Sequence, residues 1–172
     1  YVALLDSDDL WLPTKLEQQI DALLGNKANV RLCHTDEIWM RSGTRLNPHK
    51  KHKKEGGDIF LNCLKMCCIS PSSVILHKSV FDDIGVFDEN LPACEDYDFW
   101  LRYCVKEEVI FVNKHLIIKN GGHENQLSHH YWGMDRFRVH AIEKLVNNTD
   151  LKSVHRLQAI KEIINKLKIL IN

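Results

Sequence analysis

The chain opens on an apolar run, Tyr1-Val2-Ala3-Leu4-Leu5, that stops at four polar residues, Asp6-Ser7-Asp8-Asp9. An unbroken apolar run of this length predicts a buried strand, central in an α/β sheet. Pro13 then opens a helical pattern with Leu16, Ile20, Leu23 and Leu24 on one face, and Gly25-Asn26 stops it. Proline suits a first helical turn and glycine a helix end. Residues 30–40 read as a strand, and Ser42-Gly43 as a turn into a second one. The segment 49–54 is a basic polar loop closed by Gly56-Gly57, and residues 59–66 begin a short helix.

In the second half, Ser70-Pro71-Ser72-Ser73 breaks the chain before the short apolar strand Val74-Ile75-Leu76. Residues 79–84 form a helical turn closed by Gly85, and residues 87–92 a loop. Residues 95–106 make an amphipathic helix with Phe99, Trp100, Tyr103 and Cys104 to bury. Two strands, 109–112 and 116–118, precede a loop at Gly121-Gly122, and helices at 134–146 and 151–171 finish the chain. The last helix carries Val154, Leu157, Ile160, Ile163, Ile164, Leu167, Leu170 and Ile171 among five basic residues and one glutamate. It is an amphipathic basic helix, expected to pack on the domain, with another chain or a membrane surface as the alternative partners. Short connections between mixed strands and helices argue an α/β or α+β domain.

Composition narrows this picture. A chain of 172 residues fits one domain with a real core. Lys+Arg and Asp+Glu both number 23, so no global charge draws the protein to nucleic acid. No apolar run approaches the roughly 20 residues of a membrane span. The chain starts at Tyr1, with a strand already in progress and no signal-peptide pattern, so it is expected to be cut from a longer protein. The six cysteines form no C-x-x-C pair, and their apolar settings suit buried, reduced thiols of a cytoplasmic protein. The spacing of Cys63, Cys67 and Cys68 fits no usual zinc pattern. The lysine loop at 49–54 reads as solvated, although its charge suits a lipid diphosphate or an anionic membrane. Trp39, Trp100 and Trp132 have the chemistry to stack on sugar faces; aromatic residues at such spacing are usually core, and Trp132, in a polar tract, is the surface candidate.

Three constellations carry candidate chemistry. Asp6-Ser7-Asp8-Asp9 follows a strand, where open α/β sheets place their ligands. Three carboxylates in four residues repel unless a cation sits among them, and a hard divalent metal bridging to phosphates is the natural one. A helix cap explains one of these aspartates but not all three. Glu95-Asp96-Tyr97-Asp98 opens a helix, where acidic residues favour the helix dipole in any case. The functional reading makes one of them a general base for an acceptor hydroxyl. Gly121-Gly122-His123-Glu124-Asn125 presents His123 on a loop as a ligand for a metal or phosphate; a lone loop histidine is more often simply solvated.

Taken in order, with the flanks LLDSDDLWLPTKLEQQ, CHTDEIWMRSGTRLNP, ISPSSVILHKSVFDDIGVFDENLPACEDYDFWLR and GGHENQLSHHYWGMDRFR, the sequence resembles glycosyltransferase family 2. The resemblance weakens only in the last helix. It implies a GT-A-type, Rossmann-like α/β fold: a mixed sheet flanked by helices, with a C-terminal helical tail. An intact relative begins with strands that hold the nucleobase, and those first nucleotide-binding strands are absent here. The resemblance therefore implies a partial catalytic domain at 1–132, inactive alone, followed by helices at 133–172. It implies transfer of a sugar, of hexosyltransferase type, from a nucleotide-diphosphate sugar to the hydroxyl of a glycan or lipid-linked acceptor. The reaction would be inverting and serve surface polysaccharide or glycan assembly. By the same resemblance, Asp6 and Asp8 match the DxD pair that meets Mg2+ or Mn2+ and the donor, with Asp9 beside them. Asp96 matches the base, with Glu95 and Asp98 as supporting or alternative carboxylates. His123 matches a late histidine that reaches the metal or diphosphate. Gly85, Phe87 and Asp88 match a G-x-F-D turn. The protein would act in the cytoplasm, peripherally at the inner face of the cell membrane. A nucleotidyltransferase and a non-catalytic carbohydrate-binding relative of the same fold remain the alternatives; the glycine-rich phosphate loop of the former is not seen in this chain.

Overall fold

The computed structural model describes residues 1–47, 49, 52–122, 131–148 and 151–171. Its centre is a six-stranded mixed sheet in the order β1-β5-β3-β6-β2, with β4 pairing β3 off this path. The strands are β1 (Val2–Ala3), β2 (Leu10–Trp11), β3 (Leu32–Arg41), β4 (Thr44–Leu46), β5 (Ile75–Leu76) and β6 (Ile110–Gly121). The long strands β3 and β6 pair in parallel, and every other pairing is antiparallel. The turn between β3 and β4 needs positive φ at both Ser42 and Gly43, as a tight hairpin requires.

The helices are α1 (Lys15–Leu24), α2 (Phe60–Lys65), α3 (Ser79–Ile84), α4 (Glu95–Cys104), α5 (Asp135–Asn148) and α6 (Ser153–Ile171). The main core gathers Phe60, Leu64, Phe99, Trp100, Tyr103 and Ile142 between α2, α4 and α5. Phe87 stacks on Phe99 at 4.6 Å between ring centroids, and Gly85 turns the chain toward it at φ 85°. Leu145, Leu151 and Ala159 bring the two C-terminal helices into this same core. Lys166 on α6 donates to the Lys65 carbonyl at the end of α2 at 3.0 Å, so a buried lysine fastens the last helix.

Several expectations are corrected. Among the described residues the opening apolar run forms a two-residue strand, β1, that pairs antiparallel with β5, and Tyr1 and Leu5 are exposed. On α1, Leu16 and Leu24 are exposed, and the buried face is Lys15, Gln19 and Leu23. Polar side chains take that face because they bond the sheet's backbone: Gln19 donates to the carbonyls of Cys33 and Ser73 at 2.9 and 2.8 Å. Lys15 donates to the Val74 carbonyl at 3.4 Å and lies over Trp11. The two strands expected at 109–118 are one strand, β6, with register irregularities opposite Asp36. Lys54 is not solvated. It is buried in an ion pair with Glu37 at 3.1 Å. All six cysteines are free, and among the described residues no group of three or more His, Cys, Asp or Glu side chains is disposed to hold a metal.

Candidate active site

The acidic turn after β1 is held from two sides. The Asp9 amide donates back to the Asp6 carbonyl at 3.1 Å and closes the turn. Ser72, in the 3-10 turn Pro71–Ser73, accepts from the Asp6 amide at 3.0 Å and donates its hydroxyl to Asp9 Oδ2 at 2.6 Å. From β6, the Asn120 amide donates to Asp9 Oδ1 at 3.0 Å, and its side chain donates to the Asp8 carbonyl at 2.7 Å. Asp9 is 5% exposed, and both of its carboxylate oxygens are engaged within the protein. It braces the turn, while the half-buried Asp6 and the exposed Asp8 stand at its open side.

The second acidic group begins α4. Cys94 precedes it in the left-handed region at φ 64°, a sharp entry that starts the helix at Glu95. Asp96 accepts the Cys67 thiol at Oδ2, at 3.1 Å, and the Tyr97 amide at Oδ1, at 2.6 Å. The Tyr97 hydroxyl donates to the Leu64 carbonyl at 2.6 Å and pins this end of α4 to α2. Asp98 faces elsewhere. It is 1% exposed, bonded to Arg102 at 2.9 Å and to Lys144 at 2.9 Å. Arg102 also ties down the carbonyls of Ile84 and Val86, and Lys144 also pairs with Asp88. Asp98 and Asp88 are therefore members of a packing network, and Asp98 does not join Asp96 at the site. His123 lies outside the described residues.

Electrostatics link the two acidic groups. Burial raises the Asp6 carboxyl above its ordinary range, and the charges of Asp9, Asp8 and Asp96 add to that while Lys119 opposes it. Burial also raises Glu95, with Asp96 and Asp6 contributing. Asp9 is raised by burial against its own hydrogen bonds. Burial works to lower Lys119, but Glu37, Asp9 and Asp6 among its neighbours hold it above its usual value. Asp6 thus shares an electrostatic neighbourhood with carboxylates some ninety positions along the chain, and Lys119 stands by Asp6 and Asp9.

Beside them opens a cleft of about 460 Å³ whose wall includes Cys67, Lys119 and Ser70. Sequence reasoning missed Ser72, Asn120, Lys119 and Cys67. The Ser-Pro-Ser-Ser break was visible, but a serine that holds another residue's backbone leaves no pattern of its own.

No family model matches the chain. An uncharacterized glycosyltransferase of Rickettsia typhi is 31% identical over 130 residues, which are 73% of this chain and 41% of that protein. The UDP-Glc:alpha-D-GlcNAc-diphosphoundecaprenol beta-1,3-glucosyltransferase WfgD of Escherichia coli is 28% identical over 115 residues, 66% of this chain and 42% of that one. The chain thus spans about two fifths of the length of these relatives. Among solved structures, S. aureus TarS 1-349 in complex with UDP-GlcNAc superposes with a TM-score of 0.71 at 17% identity, covering 96% of this chain and 48% of that one. The chain shares the fold of TarS, and the curated homologues are named glycosyltransferases.

Proposed function

From this glycosyltransferase kinship, we propose that the chain carries the catalytic carboxylates of an enzyme moving a hexose from a nucleotide-diphosphate sugar to an acceptor hydroxyl, with inversion. The observation that carries the reading is the shared electrostatic neighbourhood of Asp6 and Asp8 with Glu95 and Asp96 beside an open cleft. Asp96 takes the proton of the acceptor hydroxyl as the new bond to the anomeric carbon forms and the bond to the diphosphate breaks. The Cys67 thiol and the Tyr97 amide fix the Asp96 carboxylate in place. Glu95 supports it, and Lys119 offsets the crowded negative charge. Ser72 and Asn120 hold the Asp6–Asp9 turn rigid through Asp9. Residues 1–132 carry this chemistry, and the helices of 133–172 buttress α4.

The donor set fits Mg2+ or Mn2+ of the kind that takes one or two carboxylates and completes its shell with phosphate oxygens and water. Asp8 and Asp6 would hold it, with His123 a further candidate, and mutual repulsion among the carboxylates is the reason a cation is favoured there. When bound, such an ion supplies stabilisation of the charge that develops on the leaving diphosphate.

The test is a screen of the intact protein against UDP-, GDP- and dTDP-sugars with and without manganese. Donor hydrolysis that depends on the metal supports the reading; a nucleotidyltransferase or a non-catalytic sugar-binding protein gives none. In the same assay Asp96→Asn is expected to lower kcat by about 10²- to 10⁴-fold, and normal turnover in that variant removes Asp96 from the base role.

The reading extends to surface glycan assembly in the cytoplasm, at the inner face of a membrane. Among the described residues no helix is long and apolar enough to cross a membrane. Helix α6, however, leaves Val154, Leu157, Ile160, Ile164, Leu167 and Ile171 between 40 and 83% exposed, bordered by the exposed Lys161 and Lys168. An apolar stripe edged by lysines suits an anionic bilayer surface. Pelleting with anionic vesicles that fades with salt supports peripheral binding; equal pelleting with neutral vesicles removes it.

A further inference from the structure

Three consecutive carbonyls next to the acidic turn are each held by a side chain from the segment 11–19. The Trp11 indole donates to the Ser72 carbonyl at 2.9 Å, the Gln19 amide to the Ser73 carbonyl at 2.8 Å, and the Lys15 ammonium to the Val74 carbonyl at 3.4 Å. Ser72 passes this hold on. Its hydroxyl accepts the Asp6 amide at 3.0 Å and donates to Asp9 Oδ2 at 2.6 Å. Lys15 stands apart among the three. It is fully buried, and the Val74 carbonyl is its one hydrogen-bond acceptor among the described residues. A buried ammonium with one long hydrogen bond costs more than an apolar side chain of similar length in the same place. What its charge meets is the Trp11 ring, whose centroid lies 4.4 Å from Nζ. The same ring carries the N–H that reaches Ser72. Contact therefore runs unbroken from Lys15 through Trp11 and Ser72 to Asp6 and Asp9.

We propose that Lys15 is a positioning residue for the Asp6–Asp9 turn, holding it through the Trp11 ring and the Ser72 carbonyl. Its part in turnover rests on the transferase reading; its grip on the turn does not. Burial lowers the Lys15 pKa to about 8. The titratable group that acts on it is the Cys33 thiol of β3, itself pushed up to about 11 by burial and so neutral in this range. As the ammonium gives up its proton, its attraction to the indole ring is lost and the turn loses its seat. The fold as a whole moves the other way. An unfolded lysine keeps its proton to about 10.4, so shedding the buried charge stabilises the native state as pH rises beyond about 8. A turn that loosens while the fold gains stability distinguishes positioning from simple packing.

The test is backbone amide NMR of the intact protein, without metal or donor, titrated across pH 8. The amides of Asp6, Asp9 and Asn120 are expected to shift together with a midpoint near 8. Lys15→Met fills the same place without a charge and is expected to abolish that step. Trp11→Phe keeps a ring for the ammonium, removes the N–H that meets Ser72, and is expected to shrink the step at all three amides. Amides that show no step, or a step that persists in Lys15→Met, overturn the proposal. Should Lys15→Met fail to fold, Trp11→Phe decides, and an unchanged step in that variant overturns the route through the indole. Donor hydrolysis is measured alongside. Lys15→Met is expected to lower kcat by about 10- to 10²-fold and to remove the decline that the unaltered protein shows above pH 8. The same kcat and the same pH profile in both proteins overturn the part in turnover. Absence of donor hydrolysis in the unaltered protein sinks the transferase reading, while the amide step still decides the grip on the turn.

Discussion

Ser72 is a small residue with a large structural share. One hydroxyl oxygen accepts the Asp6 amide, its proton goes to Asp9, and its carbonyl accepts the Trp11 indole at 2.9 Å. Ser72→Ala leaves a buried carboxylate oxygen and an amide without partners, a loss of about 1–3 kcal/mol in urea unfolding. Activity is expected to fall further than stability, because Asp6 and Asp8 hang on the same turn; a variant with unchanged kcat would separate the turn from the chemistry. Cys67 offers a second test at this scale. Burial, then the Asp96 charge, holds its thiol far above the ordinary range, so it is expected to resist alkylation near neutral pH until the protein unfolds. Mass spectrometry after brief iodoacetamide treatment reads this directly, and fast labelling of native Cys67 contradicts its place beside Asp96. Aspartates at a strand end could be read from the sequence because clustered like charges demand explanation. Ser72, Asn120 and Cys67 could not, since each acts on another residue's backbone or carboxylate across the fold.

At the scale of elements, α4 divides its acidic residues between two tasks. Its first turn sets Asp96 against the Cys67 thiol, which lines the cleft, while Asp98 anchors the helix between Arg102 and Lys144. Asp98→Asn is expected to cost about 3 kcal/mol in thermal or urea unfolding, since it takes the buried carboxylate from Arg102 and leaves Lys144 with Asp88 alone. Asp96→Asn is expected to leave stability nearly unchanged and to lower kcat by about 10²- to 10⁴-fold. The reverse pattern would exchange their roles. The helix itself, with its aromatic burial, was legible from the sequence, as were α2, α3, α5 and α6 within a few residues. The division of labour between Asp96 and Asp98 was not, because it depends on Lys144, which reaches Asp98 from α5. Helix α1 was legible as a helix but not in its orientation: hydrophobic spacing favoured Leu16 and Leu24, and side-chain bonds to sheet carbonyls placed Lys15 and Gln19 inside. Strand β2 gave no signal at all, being two residues long and defined by its pairing with β6.

Across the whole molecule, acid sensitivity follows from groups that burial holds in one state. His34 is fully buried and donates from Nε2 to the Glu55 carbonyl at 2.8 Å. Burial, then the nearby Lys54 charge, lowers its pKa to about 3. The native protein thus excludes a proton that the unfolded chain binds below about 6.5. That contribution is whole above this pH and is lost as the pH falls toward 3, with a slope of at most about 1.4 kcal/mol per pH unit. Glu37, held below its ordinary value against burial by Lys54 and Lys119, adds loss at the acid end. Asp6, Asp9 and Glu95 act in the opposite sense: their pKa values are raised, so acid relieves them. Urea midpoints are expected to drop between pH 6.5 and 4, and His34→Gln is expected to flatten that drop. A midpoint independent of pH in this range would contradict the buried neutral imidazole.

The parallel pairing of β3 with β6 sets an order in time. Cys33 meets Ile110 and Arg41 meets Gly121, so this ladder closes across more than seventy intervening residues. Joining such distant segments is entropically slow compared with winding local helices. Asn120 lies on the late-arriving strand, and its amide is what fastens Asp9. During refolding, helical circular dichroism should therefore recover first and the indole signal of Trp11, which pairs with β6, last, with an interval in which the chain is compact and largely helical while the Asp6–Asp9 turn is still unbraced.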